Sequence, residues 1–251
     1  MNKLNVTIIT PLYNSEQFIS KTIESVIAQT FTNWEMIIVD DCSTDNSKKI
    51  VEEFCKIEPR IKYYSTEFPS GSPTKPRNIA IEKAQGRFIA FLDSDDLWEP
   101  EKLKSQLELF KDEKVAIVFS NYEKINEKGF SNNRIIIAPL LVDYKKLLQG
   151  NVIACCTCVY DTYKVGKKYF FKQGHEDYAL WLEILRNGYI AKNSGFISAK
   201  YRVRDSSVSS NKIKTIRWVY NIYRNNENLS ILKSIFYTSI TLIKSFYKYL
   251  K

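Results

Sequence analysis

The stretch that decides the fold covers residues 91–98 of the 251-residue chain and reads Phe91-Leu92-Asp93-Ser94-Asp95-Asp96-Leu97-Trp98. Three carboxylates follow an apolar run from Phe88 to Leu92, which predicts a buried strand that ends in a ligand loop. Alternate side chains of an extended segment point the same way, so Asp93 and Asp95 can converge on one ligand while Asp96 diverges. Acids in this position are typical of parallel sheets that bind ligands at the carboxyl ends of their strands.

Similar strand ends occur earlier in the chain. Val6 to Ile9 is an apolar run stopped by Pro11, and Met36 to Val39 is another stopped by Asp40-Asp41. Apolar residues at helical spacing predict a helix between these runs, and further helices are expected at about 45–54, 77–84 and 100–110. Strands are expected at 61–64 and 115–119. The alternation predicts an α/β fold with a doubly wound, mostly parallel sheet.

The second half departs from this alternation. Residues 121–138 indicate a small antiparallel pair around Lys128-Gly129. A helix is expected from Asp177 to Arg186, closed by Asn187-Gly188, with short extended runs at 189–190 and 197–203.

Composition limits the classes of protein. The chain is 44% hydrophobic and 26% charged, as in an ordinary folded protein, and it shows neither a signal peptide nor a run long enough to span a membrane. We therefore expect it in the cytosol. Its net charge of +9 fits nucleic acid, anionic lipid or a phosphorylated ligand equally well. The five cysteines lack zinc-ligand spacing, and we expect plain thiols.

The acids that follow the apolar run from Phe88 to Leu92 allow two interpretations. Two converging carboxylates are costly without a cation, and their hard oxygens suit Mg²⁺ or Mn²⁺, which usually keep waters and bind phosphates. Alternatively, Asp95 or Asp96 caps the next helix and the other acids are solvated. Their place at a strand end favours metal and diphosphate binding.

Two further loops carry candidate ligand groups. In Thr10-Pro11-Leu12-Tyr13-Asn14, the aromatic ring could stack on a nucleobase and Asn14 could stabilise the turn, although a loop tyrosine is otherwise ordinary. This loop has no glycine-rich turn, which argues against a dinucleotide cofactor. In the loop 39–45, an acid could accept hydrogen bonds from a base or ribose, but Ser43 to Asp45 is equally typical of a helix start.

The stretch Gly174-His175-Glu176-Asp177-Tyr178 opens the helix predicted near the end of the second half. The helix dipole favours a carboxylate there, so a plain cap is one interpretation, and the dipole also lowers the pKa of that carboxylate. A general base at Asp177 would need burial or a neighbouring acid such as Glu176 to raise its pKa again. The sequence leaves both interpretations open.

Together these stretches resemble the family 2 inverting glycosyltransferases with the GT-A fold, over about residues 4–205. The residues that carry the resemblance are residues 10–14 and 39–45, Arg77-Asn78, Asp93-Ser94-Asp95-Asp96 and Glu176-Asp177. The stretch Tyr201 to Arg204, with Ser206, Ser209, Asn211 and Lys212, is similar to enzymes that build teichuronic-acid-type and capsular or O-antigen polysaccharides. The resemblance implies transfer of a hexosyl or N-acetylhexosaminyl group from a UDP-sugar to an acceptor saccharide, lipid-linked, in bacterial surface polysaccharide synthesis.

The resemblance also implies roles for individual residues. Pro11 and Tyr13 would lie at the uracil ring, Asp41 would hydrogen-bond the base, and Arg77 would sit near base and diphosphate. Asp93 would touch ribose or sugar, while Asp95 with Asp96 would hold Mn²⁺ or Mg²⁺. Asp177 would be the catalytic base, and attack opposite the leaving UDP would invert the configuration. Supporting roles would fall to Asn14, Asn78, His175 and Glu176.

The expected organisation is a GT-A domain over residues 1–205, with a nucleotide-sugar half (1–112) and an acceptor half (113–205), followed by a basic amphipathic helical tail (206–251). The apolar face of the tail comprises Leu232, Phe236, Ile240, Ile243, Phe246 and Leu250. Its basic residues include Lys233, Lys244, Lys248 and Lys251. This face could lie on the inner surface of the cytoplasmic membrane, making the enzyme peripheral, or pack on the catalytic domain or a partner subunit.

A sugar nucleotidyltransferase and a non-catalytic scaffold subunit are the alternative functions. A sugar nucleotidyltransferase should carry a basic, glycine-rich loop after the first strand, where this chain has Pro11, Tyr13 and Asn14. A non-catalytic donor-binding scaffold subunit would bind donor without turnover. Arg217-Trp218 weakly resembles the Q-x-x-R-W signature of processive synthases, but Lys214 replaces the glutamine, so we expect a single-transfer enzyme. We expect no nucleic-acid partner.

Overall fold

A computed structural model describes residues 5–204 and 212–249. Its strands are β1 (Val6–Leu12), β2 (Trp34–Asp40), β3 (Ile61–Ser65), β4 (Phe88–Phe91), β5 (Leu97–Trp98), β6 (Val115–Ile125), β7 (Ser131–Ile136), β8 (Leu141–Val142), β9 (Val159–Asp161) and β10 (Ile190–Arg202). Its α-helices are α1 (Ile19–Ile27), α2 (Ser47–Ile57), α3 (Thr74–Lys83), α4 (Lys102–Leu107), α5 (Tyr144–Leu147), α6 (Thr162–Val165), α7 (Glu176–Leu185), α8 (Lys212–Asn221) and α9 (Ile231–Tyr249). Short 3₁₀ turns cover Glu108–Lys111 and Cys155–Thr157, and a π-helical segment covers Ile222–Asn226.

The described strands form one ten-stranded sheet in the order β3-β2-β1-β4-β9-β6-β10-β5, with β7 added to β6 and β8 to β10. The long ladders β2–β3, β1–β2, β1–β4 and β6–β10 are parallel. β9 runs antiparallel between β4 and β6. The predicted α/β fold with a doubly wound, mostly parallel sheet is confirmed, and so is the antiparallel pair at 121–138, where β6 meets β7.

Apolar side chains on the two faces of the sheet form two cores. On β1, Ile8 enters the core under α1 and α2, whereas Ile9 enters the core under α3 and α7. Both isoleucines are fully buried. Because a central parallel strand is covered on both faces, its sequence is apolar throughout. Each fully buried side chain of this size stabilises the fold by about 1.5–3 kcal/mol.

Three predicted elements differ in detail from the observed ones. The two extended runs at 189–190 and 197–203 are parts of one strand, β10, whose pairing with β6 shifts register between Asn193 and Ile197. Gly195, at φ +80°, allows this irregularity. The helix expected at 100–110 is the shorter α4 followed by a 3₁₀ turn. The short strands β5, β8 and β9 carry too few residues for a recognisable period.

The C-terminal helices pack on the domain in an unequal way. Val219, Ile222 and Tyr223 join the core that contains α7. In contrast, Leu232 and Phe236 of α9 are exposed, so these two residues of the expected apolar face do not pack on the catalytic domain. Ser206, Ser209 and Asn211, and the side chains of Lys212, Phe246, Lys248, Leu250 and Lys251, lie outside what the structure describes. None of the helices within residues 5–204 and 212–249 combines the length and apolar character needed to cross a bilayer.

Candidate active site

A cleft of about 480 Å³ opens at the carboxyl edge of β1, β2 and β4. The parallel register pairs Leu12 with Asp40 and Ile9 with Phe91, which brings the three loops after these strands to one place. All the predicted donor-binding residues line the cleft. They are Pro11, Tyr13, Asp41, Arg77, Asp93 and Asp95, and the predicted metal ligand Asp96 lines it as well.

The loop after β1 presents an aromatic ring to this cleft. The Tyr13 side chain is 56% exposed, so one face of its ring is free for a planar ligand. Asn14 follows in a left-handed conformation at φ +43°. Its Oδ1 accepts from Thr44 N at 2.8 Å, and its own N donates to Ser43 Oγ at 3.0 Å. Asn14 therefore ties the loop after β1 to the loop after β2, which agrees with its predicted role in the turn.

Asp41 directly follows β2, is buried, and stabilises another wall of the cleft by hydrogen bonds. Its carboxylate accepts from Thr66 Oγ1 at 3.0 Å, from Ser70 N and Oγ, and from Gly71 N at 3.1 Å. The segment from Thr66 to Gly71 is thereby fixed beside Tyr13. Asp41 shapes the base end of the cleft through this segment, and its direct hydrogen bond to a base stays a prediction.

The same loop also contains the predicted helix start. Asp45 accepts from Ser47 N at 2.9 Å, where α2 begins, and Asp40 accepts from Ser43 N and Oγ. The acids of the loop therefore divide their roles, since Asp40 and Asp45 order the backbone and Asp41 faces the cleft.

The acids after β4 are crowded and partly paired. Asp93 accepts from Arg77 at 2.6 Å, and Arg204 lies 3.5 Å from Asp95. Asp96 is buried and accepts from Arg202 N at 2.8 Å. Burial raises the pKa of Asp95, and the charge of Asp93 raises it further. Burial also raises the pKa of Asp96 well above its usual range, and the neighbouring acids add to this effect.

These acids do not cap the next helix. The N-cap of α4 is Glu101, which makes no side-chain capping bond, and β5 separates it from Asp96. The capping interpretation is therefore wrong for this cluster.

The chemistry of the donor set fits a divalent cation. The buried Oδ2 of Asp96 makes no hydrogen bond of ordinary geometry, although the Cys156 thiol interacts with this carboxyl group. A cation would relieve both this unpaired oxygen and the repulsion with Asp95. Within the described part of the chain, no three His, Cys, Asp or Glu residues converge as a complete metal site. Mg²⁺ and Mn²⁺ commonly take only one or two carboxylates and complete their shell with phosphate and water.

Arg77, in the first turn of α3, links the acids of the cleft to Glu176, which with Asp177 lies outside the cleft lining. Its guanidinium is buried, and it donates to Asp93 at 2.6 Å and to Glu176 at 2.9 Å. The next residue, Asn78, exchanges hydrogen bonds with both the N and the O of Phe170, whose ring lies 5.2 Å from the Arg77 guanidinium. Asn78 therefore supports the packing around Arg77, as its predicted supporting role requires.

Asp177 lies in the first turn of α7, next to Glu176. Its half-buried carboxylate accepts from Asn151 Nδ2 at 3.1 Å and from Tyr178 N at 2.8 Å. Burial raises the pKa of Asp177 to about 6, and the charge of Glu176 contributes in the same direction. The net shift of the Asp177 pKa is therefore upward, as a general base requires, and its role as the base stays a prediction.

The turn before Asp177 is held by the C-terminal helices. His175 is the N-cap of α7 in a left-handed conformation, at φ +56°. The Trp218 ring of α8 meets the His175 ring edge-on at 5.7 Å. A Cβ on Gly174 would lie only 1.9 Å from Trp218 Cδ2, so only glycine leaves room for this ring. His175 thus packs in the turn before Asp177, and burial lowers its pKa.

Several residues in the cleft or near Asp177 carry no recognisable pattern in the sequence. Arg202 and Arg204 reach the cleft from the end of β10, and the sequence indicates them only through the family resemblance. Asn151 comes from the connection after α5, and no motif singles it out. Cys155 lies near enough to interact electrostatically with Arg77, Asp93 and Asp177. Its position in the sequence does not reveal this.

Comparisons with known proteins agree with this geometry. Residues 7–208 match the family model described as Glycosyl transferase family 2. The chain is 38% identical over 230 residues to TuaG of Bacillus subtilis (strain 168), a glycosyltransferase assigned to teichuronic acid biosynthesis, with 91% of each chain covered. It is 42% identical over 221 residues to WfgD of Escherichia coli, a UDP-Glc:alpha-D-GlcNAc-diphosphoundecaprenol beta-1,3-glucosyltransferase, with 86% of this chain and 84% of WfgD covered.

A solved structure gives the same result for the fold. The crystal structure of residues 1–349 of S. aureus TarS in complex with UDP-GlcNAc superposes with a TM-score of 0.73 at 25% identity. The match covers 92% of this chain and 69% of the TarS chain. The two chains therefore share the same fold over most of this chain.

Proposed function

The chain belongs to glycosyl transferase family 2 and has the GT-A fold, and on this basis we propose that it transfers a sugar from a UDP-sugar to an acceptor saccharide with inversion. One observation carries the proposal. Arg77, in the wall of the cleft, bonds Asp93 on the donor side and Glu176 beside Asp177, so one guanidinium links the donor-binding acids to the neighbour of a carboxylate with a raised pKa. A single-displacement transfer needs both sets of groups within reach of one sugar.

The donor is a UDP-hexose or UDP-N-acetylhexosamine. Pro11 and the exposed ring of Tyr13 take the uracil, with Asp41 holding the facing loop. Asp93 lies beside Arg77, where it reaches ribose or sugar. WfgD uses UDP-Glc and TarS is solved with UDP-GlcNAc, which supports a uridine nucleotide for this chain.

Asp95 and Asp96 would hold Mn²⁺ or Mg²⁺. When bound, such an ion offsets the charge that builds on the leaving diphosphate. The chain itself adds Arg204, which lies 3.5 Å from Asp95 and can balance part of the same charge.

Asp177 is the catalytic base. With a pKa of about 6 it is mainly ionised at neutral pH, yet it is a stronger proton acceptor than an ordinary aspartate. It removes the proton from the acceptor hydroxyl, whose oxygen forms the bond to the anomeric carbon as the bond to UDP breaks on the opposite side. Asn151 orients the carboxylate by its hydrogen bond to Oδ2.

The acceptor is lipid-linked, and the product belongs to a bacterial surface polysaccharide. The support comes from relatives. WfgD and WfaP of Escherichia coli act on a diphosphoundecaprenol-linked sugar, and TuaG is assigned to teichuronic acid biosynthesis. Such an acceptor places the reaction at the inner face of the cytoplasmic membrane, so the enzyme works there as a peripheral protein.

The test is metal-dependent UDP release from a panel of UDP- and GDP-sugars, with a soluble diphosphate-linked N-acetylglucosamine analogue as acceptor. We expect one UDP-sugar to react, and NMR of the product should show the anomeric configuration opposite to that of the donor. Retention of configuration would overturn the inverting mechanism. Tight donor binding without release from any sugar, unchanged in Asp177→Asn, would instead favour a scaffold subunit.

A further inference from the structure

Helix α9 turns most of its apolar side chains to the solvent and buries hydroxyl side chains against the domain. Helices on a globular protein normally turn their apolar stripe to the core. Here the side that meets the domain is mostly polar: Ser234 and Thr238 are buried, Thr241 shares a hydrogen bond with Tyr223, and only the half-buried Tyr237 among its described large side chains packs on the core. The hydroxyls of Ser234 and Thr238 donate to carbonyls one turn earlier, so their polar groups are satisfied within the helix.

The apolar residues of α9 point outward instead. Leu232 is 81% exposed and Phe236 is 59% exposed. The outward-facing set comprises Ile231, Leu232, Ile235, Phe236, Leu242 and Ile243 of α9, with Ile216 of α8. We call this set the α8–α9 face. Contiguous exposed apolar residues of this kind mark a surface that binds something.

The charges around the α8–α9 face indicate what it binds. Arg217 and Lys233 are exposed beside it, as are Lys214 and Lys244. The only acid from Lys212 onward is Glu227, which is buried and accepts from Tyr144 at 2.8 Å. The described part of α8 and α9 therefore contributes no exposed acid to this face. Apolar residues with flanking cations suit an anionic lipid surface.

The α8–α9 face also contains a groove. It encloses about 350 Å³ between α8 and α9 and is lined mainly by apolar atoms of Ile216, Tyr220 and Ile235, with Arg217 at its edge. Face-to-face contact of two copies would instead bring their Arg217 and Lys233 side chains together, and like charges oppose such an interface.

We propose that the α8–α9 face binds the surface of an anionic phospholipid bilayer, with α9 lying in the plane of the interface. The proposal goes beyond sugar transfer and does not depend on it. Trp218, on α8, contacts Gly174 and His175 just before Asp177. If the proposed function holds, docking by this face brings the base close to headgroup level, where a lipid-linked acceptor presents its sugar.

Flotation of the full chain tests the proposal with two kinds of vesicle, phosphatidylcholine alone and phosphatidylcholine mixed with phosphatidylglycerol. The wild type should float with the mixed vesicles and less with the neutral ones, and added salt should weaken its binding. The double variant Leu232→Ser/Phe236→Ser should bind the mixed vesicles at least about tenfold more weakly, because two large apolar side chains no longer enter the interface. Ile57→Ser, at an equally exposed apolar position on α2, is the matched control and should float like the wild type.

A second variant separates the electrostatic contribution. Arg217→Gln/Lys233→Gln should bind the mixed vesicles only about as weakly as the neutral ones, because the attraction to phosphatidylglycerol is reduced. Circular dichroism should give all variants the wild-type helix content and melting temperature, since the changed residues are exposed.

Two results would overturn the proposal. One is equal flotation of the wild type and Leu232→Ser/Phe236→Ser, or no flotation of either. The other is a wild-type dimer, seen by light scattering, that the serine variant converts to a monomer, since this would assign the face to self-association. Flotation needs no turnover, so these results are independent of whether UDP release succeeds.

Discussion

Two groups of acids lie on either side of Arg77 and differ in how their charge is balanced. The first group follows β4 and consists of Asp93, Asp95 and Asp96. Each of these acids has a nearby arginine or an N–H donor. Asp177 begins a helix and receives its hydrogen bonds from Asn151 and a backbone amide, both neutral. The first group is suited to gather positive charge around a diphosphate, and the second to accept a proton. Burial raises carboxyl pKa values in both groups, so the surrounding partners decide the role of each acid.

The largest expected effect comes from removing the proton acceptor. Asp177→Asn keeps the size of the side chain but cannot accept a proton, so kcat should fall by about 10²–10⁴-fold. Donor binding, measured by calorimetry with UDP, should stay close to that of the wild type. The matched control is Asp112→Asn, an exposed aspartate outside the cleft, which should have wild-type rates. A fully active Asp177→Asn would remove the distinction between the two groups.

A change on the other side of the cleft should affect the metal as well as the rate. Asp95→Ala should lower kcat by about 10²–10³-fold, the range found when one stabilising group at a developing charge is lost. It should also raise the Mn²⁺ concentration needed for half-maximal UDP release. In the wild type, EDTA should abolish release and added Mn²⁺ should restore it. An unchanged Mn²⁺ requirement in Asp95→Ala would show that this group does not hold the ion.

The acid beside the base gives a smaller and more specific effect. Below about pH 6 the wild-type kcat/KM should fall as Asp177 takes up its proton. The charge of Glu176 helps to hold that pKa up, so Glu176→Gln should move the acidic limb of the profile to lower pH. Gln can still accept the Arg77 bond, which preserves the geometry. Glu52→Gln, on the exposed side of α2, should leave the profile in place, and an unmoved limb in Glu176→Gln would contradict the proposed coupling.

The smallest expected effect concerns the nucleobase. Loss of the Tyr13 ring should raise KM for the UDP-sugar by about tenfold with little change in kcat, since stacking of a base on an aromatic ring contributes about 1–3 kcal/mol. Tyr13→Phe keeps the ring and should behave like the wild type, whereas Tyr13→Ala should not. Equal KM values for both variants would move the uracil away from the loop after β1.

The donor side was largely predictable from the sequence because its geometry is local. A strand end fixes where Asp93 and Asp95 lie, and parallel pairing brings the loops of Tyr13 and Asp41 to the same edge. The sequence could not show that the Asp41 carboxylate accepts hydrogen bonds from the segment from Thr66 to Gly71, because those donors follow a different strand, β3.

The base side was less predictable because distant parts of the chain decide its properties. The position of Asp177 at a helix start is readable, but its raised pKa depends on burial in the folded protein, and its hydrogen-bond partner Asn151 lies 26 positions earlier in the chain. The bridging role of Arg77 likewise requires Glu176, 99 positions further along the chain. The outward apolar face of α9 follows from tertiary packing, because periodicity identifies an apolar stripe without saying where it points.

The fit of Trp218 over Gly174 has a consequence for directed evolution of this enzyme. Any side chain introduced at position 174 would collide with the indole, and an indole removed from position 218 would leave the glycine turn before Asp177 uncovered. Libraries that randomise the two codons separately should therefore return almost only the parental residues. A library that varies them jointly, with a smaller ring at 218 beside alanine at 174, explores substitutions that single changes cannot reach.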